Sequence, residues 1–259
     1  MMYIKMYIKF IMKYKKLQTG NPPKKPCCTC LCTCYSILAL LLVYFLFNCI
    51  IKTPVEKKHV WCHRGYSETS SDENSVKSIN DAISFNFTGV EIDIFYDTLL
   101  DDFIVSAYPY NTSAPNKPTL HDLFLAAGSD VMVWLDVKNL SPDNAHDFNR
   151  KIAQYKENYD VDFFVESWQY GNLFTLSSGA NIQTAYEVFH CLQLLLPQWF
   201  TYTSMTYTVY EESPALCDLL SRNPIHLSTI NDEDKLKEYY ERERVSILLT
   251  DTNINENNF

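Results

Sequence analysis

From His59 onward, short apolar segments alternate with amphipathic ones, and this alternation limits the fold more than any other feature of the chain. Segments 59–62 (HVWC), 90–95 (VEIDIF), 103–107 (FIVSA), 131–137 (VMVWLDV), 162–167 (DFFVES), 182–186 (IQTAY), 224–228 (PIHLS) and 245–250 (VSILLT) read as strands bounded by turn or cap residues. Helical patterns lie between most of them. Residues 74–85 follow SSDE, 120–127 follow Pro118-Thr119 and stop at Gly128, 143–159 follow Ser141 with Pro142 at the first helical position, and 233–244 follow Asn231-Asp232. Strands that alternate with helices imply a mainly parallel sheet, and about eight of them predict an irregular (β/α)8 TIM-type barrel. Two places resist the scheme. Residues 96–102 are too few for a crossover helix, so the strands they join are expected to be irregular or antiparallel. TYTSMTYTVY (201–210) has the Thr/Tyr alternation of an additional, ninth strand. An open doubly wound sheet is the alternative architecture.

Charge divides the chain in two. Ten lysines and Glu56 give residues 1–58 a charge of +9, leaving −18 in the other 201 residues and −9 overall. Between the halves, residues 26–51 carry no charge, and 31–51 are long enough at helical rise to cross about 30 Å of hydrocarbon. The expected organisation is a cytosolic basic, Cys-rich tail (1–30), a single transmembrane helix (31–51), a linker (52–58) and the barrel (59–259). A cleaved signal peptide is the competing reading, but the run exceeds a signal's apolar region and ends in Phe47, Ile50 and Ile51 without a small-residue cleavage site. Lysines concentrate before the span, which predicts a single-pass type II membrane protein with a lumenal or extracellular barrel. Cys27, Cys28, Cys30, Cys32 and Cys34 crowd the cytosolic boundary as candidates for S-acylation, and Asn86, Asn111 and Asn139 open glycosylation sequons. The acidic body disfavours nucleic acid as a partner, and no P-loop, dinucleotide fingerprint, nucleophile elbow or HExxH motif is present. The sequence leaves the oligomeric state open.

Residues i and i+2 of a strand share a face, which groups Glu91 with Asp93 in VEID and Asp136 with Lys138 in WLDVK. His63 and Arg64 directly follow the first strand. In a barrel, strand C-termini converge on one mouth, so these groups would meet there. Three hard oxygen ligands suit Mg²⁺ or Ca²⁺, and the cations around them suit an anionic group such as a phosphodiester. Trp168, just after the fifth strand, is a candidate wall of a lipid or glycerol pocket. Glu166 shares that strand end as a fourth carboxylate or a partner for Lys138.

CHRGYS, ENS at 73–75, FTGVEIDIFYD, FIVSAYPY, PTLHDLF, VWLDVKN and LLTD together resemble the glycerophosphodiester phosphodiesterase family, within the phosphatidylinositol-phospholipase-C-like barrels. The resemblance implies a β/α barrel, a divalent cation held by carboxylates, and cleavage of a glycerophosphodiester into an alcohol and a phosphomonoester. By position it implies that His63 is an acid/base histidine, Arg64 a phosphate contact, and Glu91, Asp93 and Asp136 metal ligands with Lys138 the basic residue beside them. One departure stands out. The family places a second acid/base histidine just after the third strand, where this chain has Ser106-Ala107-Tyr108. The expectation is therefore a membrane-anchored, metal-dependent phosphodiesterase acting on glycerophosphodiesters or lysophospholipid-like substrates. The alternative is a catalytically lapsed barrel serving as a membrane-bound binding or scaffold protein.

Overall fold

The computed structural model of the protein describes residues 28–107, 117–182 and 200–259, which fall into two units dividing between Leu46 and Phe47. Helix α1 (Cys28–Ile50) forms where the apolar span is expected, with no acid in its first turn and no base in its last. Among the described residues, which do not include all of its side chains, no helix is long and apolar enough to cross a membrane.

The second unit is a closed barrel. In chain order it contains β1 (His59–Cys62), α2 (Val76–Ser84), β2 (Gly89–Asp97), β3 (Asp102–Val105), α3 (Leu120–Ala127), β4 (Met132–Val137), α4 (Ala145–Asn158), β5 (Phe163–Ser167), β6 (Ser178–Ile182), β7 (Tyr202–Thr206), α5 (Tyr207–Glu212), α6 (Pro214–Leu220), β8 (Ile225–Ser228), α7 (Glu233–Tyr240) and β9 (Val245–Thr250). Eight parallel strands form the ring in the order β1, β2, β4, β5, β6, β7, β8, β9, and β1 closes onto both β9 and β2. Closure is lopsided: β1 and β2 share the single register pair Cys62↔Val90, whereas β2 and β4 are in register from Gly89↔Met132 to Ile94↔Val137. Strand β3 lies outside the ring, antiparallel to the far end of β2 from Ile94↔Val105 to Asp97↔Asp102, as the short 96–102 connection requires. Local chemistry sets the helix starts. Capping boxes open α2 (Ser75 with Ser78) and α3 (Thr119 with Asp122), and Asp232 caps α7.

Three expectations change. Segment 201–210 is not a single extra strand; it supplies ring strand β7 and then turns into α5, while segment 103–107 supplies the strand left outside. The sixth strand begins at Ser178 rather than 182, and residues 183–186 lie outside the described ones. Its Gly179 is required because a Cβ there would lie 2.2 Å from the Tyr202 ring, so the strand lacks the apolar signal by which strands are read. Helix α7 stops at Tyr240, and Arg244 instead bonds the carbonyls of Thr53 and Arg222. Segment 52–58 is equally well fastened: Lys52 donates to the carbonyls of Leu219 and Ser221 at the end of α6, and Lys58 to that of Tyr240 at the end of α7. Cys62 and Cys217 are buried; Cys191 and Asn111 lie outside the described residues.

The interior is layered. Its floor is an aromatic and aliphatic cluster of Trp61, Trp134, Tyr202, Ile247 and Leu249, with Met132 and Phe164 packed against it. Trp61 stacks on Phe164 at 5.5 Å and Tyr202 on His226 at 4.0 Å. Gly89 passes so close to the Trp61 ring that a Cβ would lie 2.1 Å from it. Two residues further along the same strands, the inward positions become His63, Glu91, Asp136, Glu166, Ser204 and Asp251.

Candidate active site at the barrel mouth

Backbone geometry aims the first group. Arg64 (φ 57°) and Gly65 (φ 72°) turn the chain sharply after β1 in the left-handed region. Gly65 has no substitute, because a Cβ would lie 2.4 Å from the Ser78 hydroxyl. This turn points the Arg64 amide at Glu91, to whose Oε2 it donates at 3.0 Å, while the Arg64 side chain places Nε 2.8 Å from Asp93 Oδ2 and donates from Nη1 to Glu73 at 3.1 Å. Asn74, also left-handed (φ 54°), completes the support: its Nδ2 donates to Asp93 Oδ2 and its Oδ1 accepts from the Asp93 amide, both at 2.9 Å.

Ligand oxygens of Glu91, Asp93 and Asp136 all lie within 4.8 Å of one another. Cross-strand register explains the meeting, since Asp93 stands opposite Asp136 and Asp136 opposite Glu166. Lys138 reaches back over the cluster and pairs with Asp93 Oδ1 and with Asp136 Oδ2 at 2.5 Å. Burial and the neighbouring Asp93 push the Glu91 carboxyl well above its ordinary range, and burial raises Asp136 as well. Burial would raise Asp93 too, but Lys138, Arg64 and Asn74 outweigh it and hold that group below the usual carboxylate value. Burial opposes charge on Lys138, yet Asp136, Asp93 and Glu91 together raise it. The chain's own cations thus satisfy Asp93, Lys138 is shared with Asp136, and burial still disfavours charge on Glu91 and Asp136. Such a set of hard oxygen donors fits a divalent cation of the Mg²⁺ or Ca²⁺ kind.

His63 stands at the edge of the cluster, with Nε2 3.9 Å from Glu91 Oε2 and Nδ1 2.8 Å from Asp251 Oδ1. An ionised carboxylate only accepts, so Nδ1 carries the proton and Nε2 is left facing the carboxylates. Asn231 steadies Asp251 in turn, donating to its Oδ2 and accepting from its amide, both at 2.8 Å. Burial alone would raise Asp251, but the bonds from His63 and Asn231 lower it, which keeps it the acceptor.

Six of the seven residues expected at the site, His63, Arg64, Glu91, Asp93, Asp136 and Lys138, are thus linked by these contacts. Trp168 is not linked to them: it follows β5 and is 55% exposed, with no described contact to the cluster. Glu166 is buried behind Asp136, where burial raises it well above the carboxylate range, and Lys138 pairs with Asp93 and Asp136 instead. Sequence reasoning assigned no role to Asp251, Glu73, Asn74 or Asn231, although LLTD and ENS contain the first three. Other described histidines stand elsewhere: His121 on α3 bonds Tyr159, His146 is exposed on α4, His59 faces Glu256, and His226 belongs to the floor. His190 lies outside the described residues.

No family model matches the sequence, and no curated protein matches it in sequence. Solved structures do resemble it. A glycerophosphodiester phosphodiesterase from Parabacteroides distasonis superposes with a TM-score of 0.58 at 17% identity, over 75% of this chain and 93% of that one. A phosphodiesterase from Oleispira antarctica, in complex with the product sn-glycerol-3-phosphate, gives 0.56 at 15% identity over 74% and 92%. A glycerophosphodiester phosphodiesterase from Thermotoga maritima gives 0.57 at 15% identity over 74% and 93%. At these identities the likeness establishes a shared fold, an eight-stranded parallel α/β barrel of the TIM type.

Proposed function

We propose that the chain is a membrane-anchored, divalent-cation-dependent phosphodiesterase that hydrolyses glycerophosphodiesters or lysophospholipid-like substrates to an alcohol and a phosphomonoester. The observation that carries this reading is the meeting of Glu91, Asp93 and Asp136 within 4.8 Å beside an oriented histidine and two cations. Barrels of the same fold are glycerophosphodiester phosphodiesterases, which supports the assignment.

Glu91, Asp93 and Asp136 would hold the cation, which supplies Lewis-acid polarisation of the phosphoryl oxygens. Arg64 and Lys138 add positive charge where negative charge grows on those oxygens. His63, kept protonated on Nδ1 by Asp251, offers a bare Nε2 as base: it takes a proton from the attacking group, and the imidazolium so formed returns that proton to the departing alcohol oxygen as the P–O bond breaks. Residues 31–51 anchor the chain with the N-terminus cytosolic and the barrel lumenal or extracellular, following the lysine distribution.

A second reading, a lapsed barrel kept as a membrane-bound binding or scaffold protein, is favoured by Ser106-Ala107 at the place where the resemblance puts a second imidazole. The two separate in one assay, in which the purified full chain is incubated with glycerophosphocholine or lysophosphatidylcholine in the presence of Mg²⁺, Ca²⁺ or EDTA. The phosphodiesterase reading expects cation-dependent release that falls on the order of 10² to 10⁴ in His63→Ala. Cation binding without turnover establishes the lapsed barrel instead.

A further inference from the structure

We infer that Lys117 is a third phosphate-binding cation of this mouth, beside Arg64 and Lys138, a role that rests on the phosphodiesterase reading above. The argument begins with β3. Its last residues pair with β2, and the Ser106 amide donates to the Asp93 backbone carbonyl at 2.9 Å, which holds Ser106 beside the backbone of a cluster residue. The returning chain runs antiparallel to β3, with Ile104 bridged to Thr119 and the Val105 amide bonded to the Pro118 carbonyl. Lys117 is thereby brought alongside, and its Nζ donates to the Ser106 hydroxyl at 2.5 Å.

A cavity of about 310 Å³ opens between these strands and the turn after β1, and Lys117 and Arg64 both line it, together with Ser70, Glu73, Ser106 and Ala107. The cations differ in what already occupies them. Arg64 is committed to Asp93 and Glu73, and Lys138 to Asp93 and Asp136. Among the described residues, Lys117 has a neutral hydroxyl as its partner, not a carboxylate. An ammonium group held this way keeps its charge available to an incoming anion. It also stands beside Ala107, where the histidine of the resemblance is missing, so it supplies positive charge at the place that lacks an imidazole.

The test is direct binding of sn-glycerol 3-phosphate and of inorganic phosphate to the full chain with Mg²⁺ or Ca²⁺ present, measured by calorimetry at several salt concentrations. Loss of one charge-assisted contact should weaken binding about tenfold in Lys117→Met, flatten its salt dependence, and weaken it further in Lys117→Glu; Lys117→Arg should stay within about threefold of the parent. Because the side chain is exposed, melting temperatures should be unchanged. The inference is overturned if Lys117→Met binds both anions as the parent does while Arg64→Met is weakened, an outcome that leaves the phosphodiesterase reading intact. Absence of anion binding by the parent chain overturns both.

Discussion

The floor and the mouth of the barrel are built from the same strands, two residues apart, and differ in what packing can satisfy. Trp61 gives way to His63, Trp134 to Asp136, Phe164 to Glu166 and Leu249 to Asp251. At the floor, burial works with the chemistry. His226 is stacked on Tyr202 and burial lowers its pKa to about 3, so it remains neutral. At the mouth, burial works against it: Glu91 and Asp136 are raised, Lys138 is divided between Asp93 and Asp136, and Arg64 between Asp93 and Glu73. The contrast teaches that the floor holds groups that burial keeps neutral, whereas the mouth gathers carboxylates whose charge burial disfavours.

If that division is real, substitutions at the two levels should have separable effects. The largest is expected at the floor. Trp134 is almost fully buried against Tyr202 and His226, and Trp134→Ala should cost about 3–5 kcal/mol in denaturant unfolding. Cation affinity of the molecules that remain folded should be little changed; a parallel loss of affinity would show the two levels to be one unit. A smaller effect is expected from Asp251→Asn, which can present an amide to His63 and favour the wrong tautomer. Turnover should fall about 10- to 100-fold with unfolding unchanged, and a variant as active as the parent would remove Asp251 from the positioning of His63. The smallest concerns pH. An unfolded histidine takes up a proton below its ordinary value of 6.5, whereas folded His226 does so only near 3, so its contribution is complete above 6.5 and is lost as pH falls toward 3. Between pH 7 and 5.5 the parent should lose about 1 kcal/mol more stability than His226→Phe, read from denaturant midpoints at each pH. Equal losses would mean that the floor does not exclude the charged imidazole.

The parts of this arrangement that could be read from the sequence are those with a local signature. Apolar runs identify β1, β2 and β4, and the i, i+2 rule places Glu91 with Asp93 and Asp136 with Lys138 before any coordinates are known. The short 96–102 connection likewise announces an antiparallel pair. What escaped has no local signature. Strand β6 is small-residue SGANI because an aromatic ring from β7 covers it, so its identity depends on a neighbour. Asp251 meets His63 across 188 positions, and no pattern around either predicts that bond. Lys117 becomes notable only when the strand return sets it beside Ser106.

The single register pair between β1 and β2 is the thinnest stitch in the hoop, and His63 and Glu91 each sit one residue beyond its two members. Opening the hoop should therefore cost least where the imidazole and the carboxylate face each other, one level above the packed aromatic base.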